Sequence, residues 1–400
     1  MEYRMSEKPF TIPDDVATIE PTDLYDRLDA GESVGVLDTR APNSVDDWRI
    51  DGDSVDFANV PYYDFLDGAS ESSLDELPDA RPIYTVCAKG ESSKFVADVL
   101  TQAGVDDVVA VEDGMQGWET VLDSTELSAD TDATVVQFHR PSSGCLSYLV
   151  VDGEEALVVD PLYAFAEEYV SAARDYGAEL VAAVDTHVHA DHISGVRRLA
   201  EEYGVRAVVP AAAEERGIEY ETAYDTVTDG EAIHVGTVSV EAIHTPGHTS
   251  GMTSYLVDEA VLLTGDGLFV ESVARPDLEG GDEGAPDAAG QLYDTLHDRI
   301  LSLPDETLVA PGHASDAAET AGDGSYSDAL GDIAASMPAL DRDRDSFVEF
   351  VLADMPPRPD NYEDIIAANL GHQRVDGDEA AELERGPNNC AATTNAMTGQ

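Results

Sequence analysis

Five of the ten histidines in this 400-residue chain sit in short runs beside a carboxylate or a glycine. His187-Val-His189-Ala-Asp191-His192 sets three imidazoles and a carboxylate directly after the apolar run 180–184. His248 lies in Thr-Pro-Gly-His-Thr, Asp266 in Leu-Thr-Gly-Asp-Gly and His313 in Ala-Pro-Gly-His-Ala, each again behind an apolar run. Imidazole nitrogens and carboxylate oxygens are the ligands that zinc and non-haem iron take. Four loops leaving strand ends can gather such ligands at one edge of a pair of sheets, and a glycine beside a ligand lets the backbone turn tightly behind it.

A second reactive group stands earlier in the chain. Cys87 ends the apolar run 83–87 and opens Cys87-Ala-Lys89-Gly-Glu-Ser-Ser-Lys94, which leads into a helical pattern over 93–103. A thiolate there faces loop N–H groups and a helix N-terminus, both of which favour negative charge. The protein has three lysines, and Lys89 and Lys94 are two of them. Cys145 opens a strand and reads mainly as structural, with a role near the metal cleft as the alternative; Cys390 falls in a polar C-terminal stretch and receives no role.

The elements that must position these groups fall into two textures. Runs 34–38, 83–87 and 108–111 read as buried strands, and 22–30 and 93–103 as helices capped by Thr22 and by Ser92 or Ser93. Strand–helix alternation predicts a parallel sheet covered by helices. Residues 123–133 are polar and acidic and read as a linker. From residue 134 a meander of strands (134–138, 146–151, 156–160) is followed by helices over 167–176 and 195–203 and by further strands, which suggests two packed sheets with helices outside. The expected organisation is an arm over 1–13, an α/β domain over 14–122, the linker over 123–133, a second domain over 134–372 and a mobile polar tail over 373–400.

Asp+Glu number 83 against 21 Lys+Arg, a net charge of −62, while hydrophobic residues still make up 42% of the chain, enough for ordinary cores. Such a surface repels phosphate backbones and anionic lipid, so neither nucleic acid nor a membrane is an expected partner. The even spread of acid resembles proteins of salt-in halophiles. Three cysteines make no disulfide framework, and no apolar run reaches membrane-spanning length. A cytoplasmic location is expected; a homo-oligomer stays open.

The set Thr-His-x-His-Ala-Asp-His, Thr-Pro-Gly-His, Thr-Gly-Asp and Pro-Gly-His resembles the metallo-β-lactamase superfamily, whose fold is an αββα sandwich. Two branches give two expectations. In the persulfide dioxygenase branch one Fe(II) is held by residues matching His187, His248 and Asp266, with His189, Asp191, His192 and His313 supporting them. In the glyoxalase II branch two Zn(II) ions are held, one by His187, His189 and His248, the other by Asp191, His192 and His313, with Asp266 bridging. Arg275-Pro-Asp277 resembles a segment of the dioxygenase branch whose arginine helps to hold the thiol carrier, so Arg275 joins Lys89 and Lys94 as an expected substrate contact.

The N-terminal half resembles a rhodanese domain through Leu37-Asp38-Thr-Arg40, the Cys87 loop and Gly114-Met-Gln-Gly-Trp118. That resemblance implies that Cys87 carries sulfur as a persulfide. The expected protein is a persulfide dioxygenase with a sulfurtransferase domain, oxidising a small thiol persulfide to sulfite with O2. Thiosulfate or sulfite would serve the cysteine site. The alternatives are a two-zinc thioester hydrolase and a non-catalytic sulfur carrier. Burying five imidazoles for no chemistry argues against the last.

Overall fold

The computed structural model describes residues 9–13, 15–45, 48–315, 318–353, 355–386 and 390–392. The chain divides into two units, 1–122 with 140–143, and 123–139 with 144–400.

In the first unit five parallel strands stand in the order Thr18–Ile19, Val108–Val111, Ile83–Val86, Val34–Asp38, Val55–Asn59. Alternation sends Val34, Val36, Tyr84 and Val86 to a cluster with Leu24, Met115 and Trp118. Leu37, Ile83 and Ala110 join a separate cluster with Phe65, Val96 and Leu100. A sheet covered on both faces in this way reads as nearly continuous apolar runs, which is why its strands stand out in the sequence. The helix ends differ from expectation. Pro21 sits at the first position of Pro21–Asp29, and the second helix, Glu91–Gln102, starts behind Gly90 at φ 75°. Thr22, Ser92 and Ser93 are therefore inside helices rather than capping them. Proline's fixed φ and the left-handed glycine set the start points. Of the expected arm, residues 1–8 lie outside the described residues, whereas Phe10 stacks on Phe95 with centroids 4.9 Å apart.

The second unit stacks a seven-stranded sheet on a six-stranded one. The first runs Tyr224–Val227, Arg206–Pro210, Glu179–Val184, Glu155–Val159, Cys145–Asp152, Thr134–Arg140, Asp123–Glu126. The second runs Ala232–Val235, Val238–His244, Thr253–Val257, Val261–Gly265, Leu308–Pro311, Asp328–Ala329. Val135, Tyr148, Leu157 and Val184 of one sheet meet Val240, Tyr255, Leu263 and Ala310 of the other in the central core. On the outer face of the second sheet Leu256, Leu262 and Val309 pack against Leu292, Leu296, Ile333 and Phe347 from helices. Ala166–Asp175 and Val196–Tyr203 lie against strands of the first sheet. The expected αββα sandwich is present.

Two expected boundaries change. The linker contains the strand Asp123–Glu126, paired antiparallel to Thr134–Arg140. It is an edge strand of four polar residues with no apolar face, so its pairing left no hydrophobic alternation to read. The expected mobile tail is built into the domain as far as it is described. Asp376 caps Gly377–Leu383 in a capping box, and Ala380 packs with Ile193, Ile365 and Ala368. Ala391 bridges to Ala274, and Cys390 and Ala392 are buried. Small residues at close backbone contacts bury little apolar area, so this stretch resembles a loop in sequence. Among the described residues no helix is long and apolar enough to cross a membrane.

Candidate metal centre

All the loops that carry expected ligands leave the ends of strands in the second unit, and their backbones interlock. Thr186 follows Val184 and Asp185; its N–H and hydroxyl donate to the two oxygens of Asp160 at 2.6 and 2.9 Å. The loop from His187 to His192 is pinned from behind by Asn369, whose amide donates to the carbonyls of His189 and His192 at 3.0 and 2.7 Å. Gly265, just before Asp266, has φ 51°, and a Cβ there would lie 2.5 Å from Thr186 Oγ1. Only glycine lets these two ligand loops approach so closely.

His187, His248 and Asp266 converge, with one ligand atom from each within 4.8 Å of the others. His187 Nε2 and His248 Nε2 lie 3.8 and 3.7 Å from Asp266 Oδ2. All three of these atoms are buried without a hydrogen-bond partner in the protein. The far nitrogens are engaged: His187 Nδ1 meets Thr186 Oγ1 at 2.9 Å, and His248 Nδ1 meets the Arg275 carbonyl at 2.9 Å. Since the Thr186 hydroxyl gives its proton to Asp160, the His187 Nδ1–H is the donor in its pair, and a carbonyl can only accept from His248. Both rings therefore aim a bare Nε2 lone pair at the same point as a carboxylate oxygen, an arrangement that suits a metal ligand supported by outer partners. Burial, with neighbouring His189 adding to it, holds His187 well below the ordinary histidine range; burial also lowers His248. Neutral rings are what ligation requires.

The other three histidines are set up differently. His189 Nε2 is 3.1 Å from Asp160 Oδ1 and its ring groups with Asp160 and Asp185, not with the triad. Burial opposes its protonation, but the two carboxylates win and lift it to about 9. His192 Nδ1 and His313 Nε2 both contact Asp191 Oδ2, at 2.9 and 2.8 Å, while His313 Nδ1 reaches Asp266 Oδ1 at 2.6 Å. Burial again disfavours charge, and the carboxylates again outweigh it, so both are raised well above the ordinary range. The site thus holds two neutral imidazoles pointing at Asp266 and a separate, proton-sharing group around Asp191.

Arg275 stands apart from the expected substrate role. It is 1% exposed, with its guanidinium on both Asp277 oxygens at 2.8 and 3.1 Å and on the carbonyls of Pro356 and Pro357. Its side chain ties down the C-terminal segment, and its carbonyl orients His248. Missed by the sequence reading are Asp160, Asn369 and Cys390, while Cys145, for which a role near the metal cleft stayed open, lies 3.4 Å from Asp191 Oδ2. Asp160 carried a usable signal, a carboxylate just behind the apolar strand Glu155–Val159, as in the ligand loops. Cys390 groups with Asp191, Asp266 and His313, and burial with those carboxylates pushes its thiol well up. A cavity of about 460 Å³ is lined by Val270, Glu271, Ser327, Asp328 and Met337 among others, and by none of the expected ligand residues.

In the first unit Cys87 follows Ile83–Val86 at the C-terminal end of the parallel sheet, where open α/β sheets bind their ligands. Its carbonyl accepts from Met115 N–H at 2.7 Å, and a Cβ on Gly114 (φ 58°) would collide with that oxygen at 2.0 Å. The first N–H groups of Glu91–Gln102 have no intrahelical acceptor and begin four residues beyond the thiol. Lys89 is exposed. Lys94 donates to Glu112 at 2.5 Å, so of the two expected lysine contacts only Lys89 is clear of an ion pair in this conformation.

A pair of stacked sheets with histidines and aspartates on the loops at their edge, preceded by a parallel sheet ending in a cysteine loop, defines the class. Residues 141–313 match the metallo-beta-lactamase superfamily and residues 20–120 the rhodanese-like domain. The chain belongs to the metallo-beta-lactamase superfamily and carries a rhodanese-like domain ahead of that fold. It is similar to the mitochondrial persulfide dioxygenase ETHE1 of Homo sapiens, 31% identical over 183 residues, spanning 44% of this chain and 66% of that one. A hydroxyacylglutathione hydrolase of Synechococcus is 33% identical over 175 residues, 42% of this chain and 63% of that one. The match thus spans just under two thirds of these relatives' length. The solved structure of ETHE1 from Myxococcus xanthus superposes with a TM-score of 0.51 at 28% identity, covering 59% of this chain and 97% of that one. The superfamily fold with its clustered histidines and aspartates points to a metal-dependent enzyme.

Proposed function

We propose that the protein is a persulfide dioxygenase with a sulfurtransferase domain, holding one Fe(II) on His187, His248 and Asp266. The observation that carries this reading is the convergence of two bare Nε2 atoms and Asp266 Oδ2, each buried and partnerless. Two imidazoles and a carboxylate are the ligand set of non-haem iron oxygenases; bound there, iron keeps open positions for a sulfur donor and O2. The chain's own residues keep that geometry: Thr186 and the Arg275 carbonyl fix the ring orientations, and Asn369 holds the His189–His192 loop. In the overall reaction one persulfide, one O2 and one water give one thiol, one hydrogen sulfite and one proton. At the rhodanese-like domain the Cys87 thiolate takes the outer sulfur of thiosulfate, releasing sulfite and leaving a cysteine persulfide.

Purified protein is expected to carry about one iron per chain, as a single triad implies, and to consume O2 on addition of a small thiol persulfide. Two zinc ions per chain, thioester hydrolysis and indifference to persulfide would replace this reading with the hydrolase one. Cys87→Ser is expected to remove thiosulfate sulfurtransfer and leave persulfide-dependent O2 uptake within about twofold, because a hydroxyl cannot carry sulfane sulfur. Cyanide-acceptor assays beside an oxygen electrode separate the two activities.

A further inference from the structure

Two enclosed arginines of the second unit contrast in how their donors are used. Arg275 is saturated: its side chain is 1% exposed, and its guanidinium holds both Asp277 oxygens and two proline carbonyls. The Arg216 side chain is 9% exposed, yet among the described residues its guanidinium makes a single hydrogen bond, from Nη1 to the Val188 carbonyl at 3.4 Å. Its Nε stands 3.7 Å from Glu279 Oε1, beyond hydrogen-bond length. Both oxygens of that carboxylate are already taken, by the N–H and hydroxyl of Ser250 at 2.6 and 2.7 Å. A fork of five N–H groups thus meets one long contact. Burial lowers the Arg216 pKa from the ordinary arginine value, and Glu279 offsets that only in part.

The chain sets this guanidinium between two ligand loops. Val188 separates His187 from His189, and Ser250 stands two residues beyond His248. Arg216 follows the short helix Ala211–Glu214, with its N–H on the Ala213 carbonyl at 3.1 Å. A Cβ on Gly251 would lie 2.7 Å from Ala213 Cα, so only glycine lets the His248 loop press against this segment.

We propose that Arg216 binds substrate at the iron site, taking the carboxylate or phosphate end of the thiol carrier whose persulfide is oxidised. The identity of that carrier as a persulfide rests on the dioxygenase reading; the anion does not. A guanidinium fork matches either oxyanion with two parallel hydrogen bonds. Enclosing a cation with so few acceptors is costly, and a bound oxyanion removes the cost. In a chain of net charge −62, an under-compensated cation beside the ligand loops also draws an anionic substrate against the repulsion of the surface. Arg216 thereby takes the role that the sequence reading gave to Arg275.

The test is O2 uptake by the full-length iron-loaded protein with the persulfides of 2-mercaptoethanol (uncharged), 3-mercaptopropionate and pantetheine 4′-phosphate. The kcat/KM should favour at least one anionic persulfide over the uncharged one by about tenfold or more, through KM, as hydrogen bonds to a charged group imply. Which anion gains tells carboxylate from phosphate. In Arg216→Gln the preference should fall to about twofold or less, and Arg216→Lys, which keeps the charge without the fork, should restore part of it. Glu279→Gln should raise the preference at least about twofold by removing the competing carboxylate. It decides the matter if the Arg216 variants do not fold, and no rise there counts against the role. No preference in the unmutated protein, or one that survives Arg216→Gln, would overturn the proposal. Absence of O2 uptake with all three persulfides would sink the iron reading instead. Anaerobic calorimetry of the two anionic thiols against 2-mercaptoethanol, in the unmutated protein and Arg216→Gln, then decides Arg216 by the same preference.

Discussion

Asp266→Asn is expected to lower persulfide-dependent O2 uptake by more than about 100-fold. The carboxylate is fully buried, with Oδ2 facing the two bare imidazole nitrogens and Oδ1 on His313. The substitution keeps the volume and leaves one carbonyl oxygen for His313, but it removes the only anionic ligand of the triad. Even a ligand's outer hydrogen-bonding partner is worth about 10–100-fold in metal affinity or activity, so loss of the ligand itself should exceed that. Iron content measured on the same sample should fall with the activity, while Cys87-dependent sulfurtransfer stays within about twofold. Thr186→Val serves as the graded control: it removes the acceptor of His187 Nδ1 and should cost about 10–100-fold. Uptake near the unmutated level in Asp266→Asn, with the chain folded, would remove the iron triad from the reaction.

The contrast between Asp266 and Arg275 shows what the sequence could and could not carry. Candidate ligand residues were legible because metal chemistry confines them to few residue types, and each loop sits directly behind a strand whose apolar run is itself visible. Arg275 was legible as a residue but not as a role. Nothing local distinguishes a guanidinium that meets substrate from one buried on Asp277 and two proline carbonyls. Cys145 and Asn369 belong to the site only through folding: one meets His313 across a backbone bridge, the other reaches back to His189 and His192 from a distant helix. The strand Asp123–Glu126 and the residues around Ala391 escaped for a related reason. Their order comes from backbone pairing, which imposes no hydrophobic period. What the sequence reading recovered is the part of the fold that burial writes into residue type; what it missed is held by backbone pairing and polar contacts, which leave no hydrophobic period.

Dilution of salt is expected to cost the protein its folded structure. The 83 Asp and Glu are met by only 21 Lys and Arg, which leaves a net charge of −62. Those present are often engaged at the surface, as Arg344 is with Asp294, Arg49 with Asp51 and Arg299 with Asp229. Exposed pairs of this kind contribute only about 0–1 kcal/mol each, so they do not offset the field of the remaining carboxylates. At about 0.01 M ionic strength the screening length is about 30 Å, which lets carboxylates across a whole domain repel one another; at 1 M it is about 3 Å, and only near neighbours do. Native stability is typically about 5–15 kcal/mol, small enough for this repulsion to exceed it. The metal centre should go with the fold, because its ligands come from loops on both sheets and from strand ends that must stay stacked. Circular dichroism and metal content, followed from molar to millimolar KCl and back, should show loss of both and recovery of the spectrum on return to high salt. An unchanged spectrum with metal retained in millimolar KCl would mean that burial in the two cores outweighs the repulsion, and that the acidity is not an adaptation to salt.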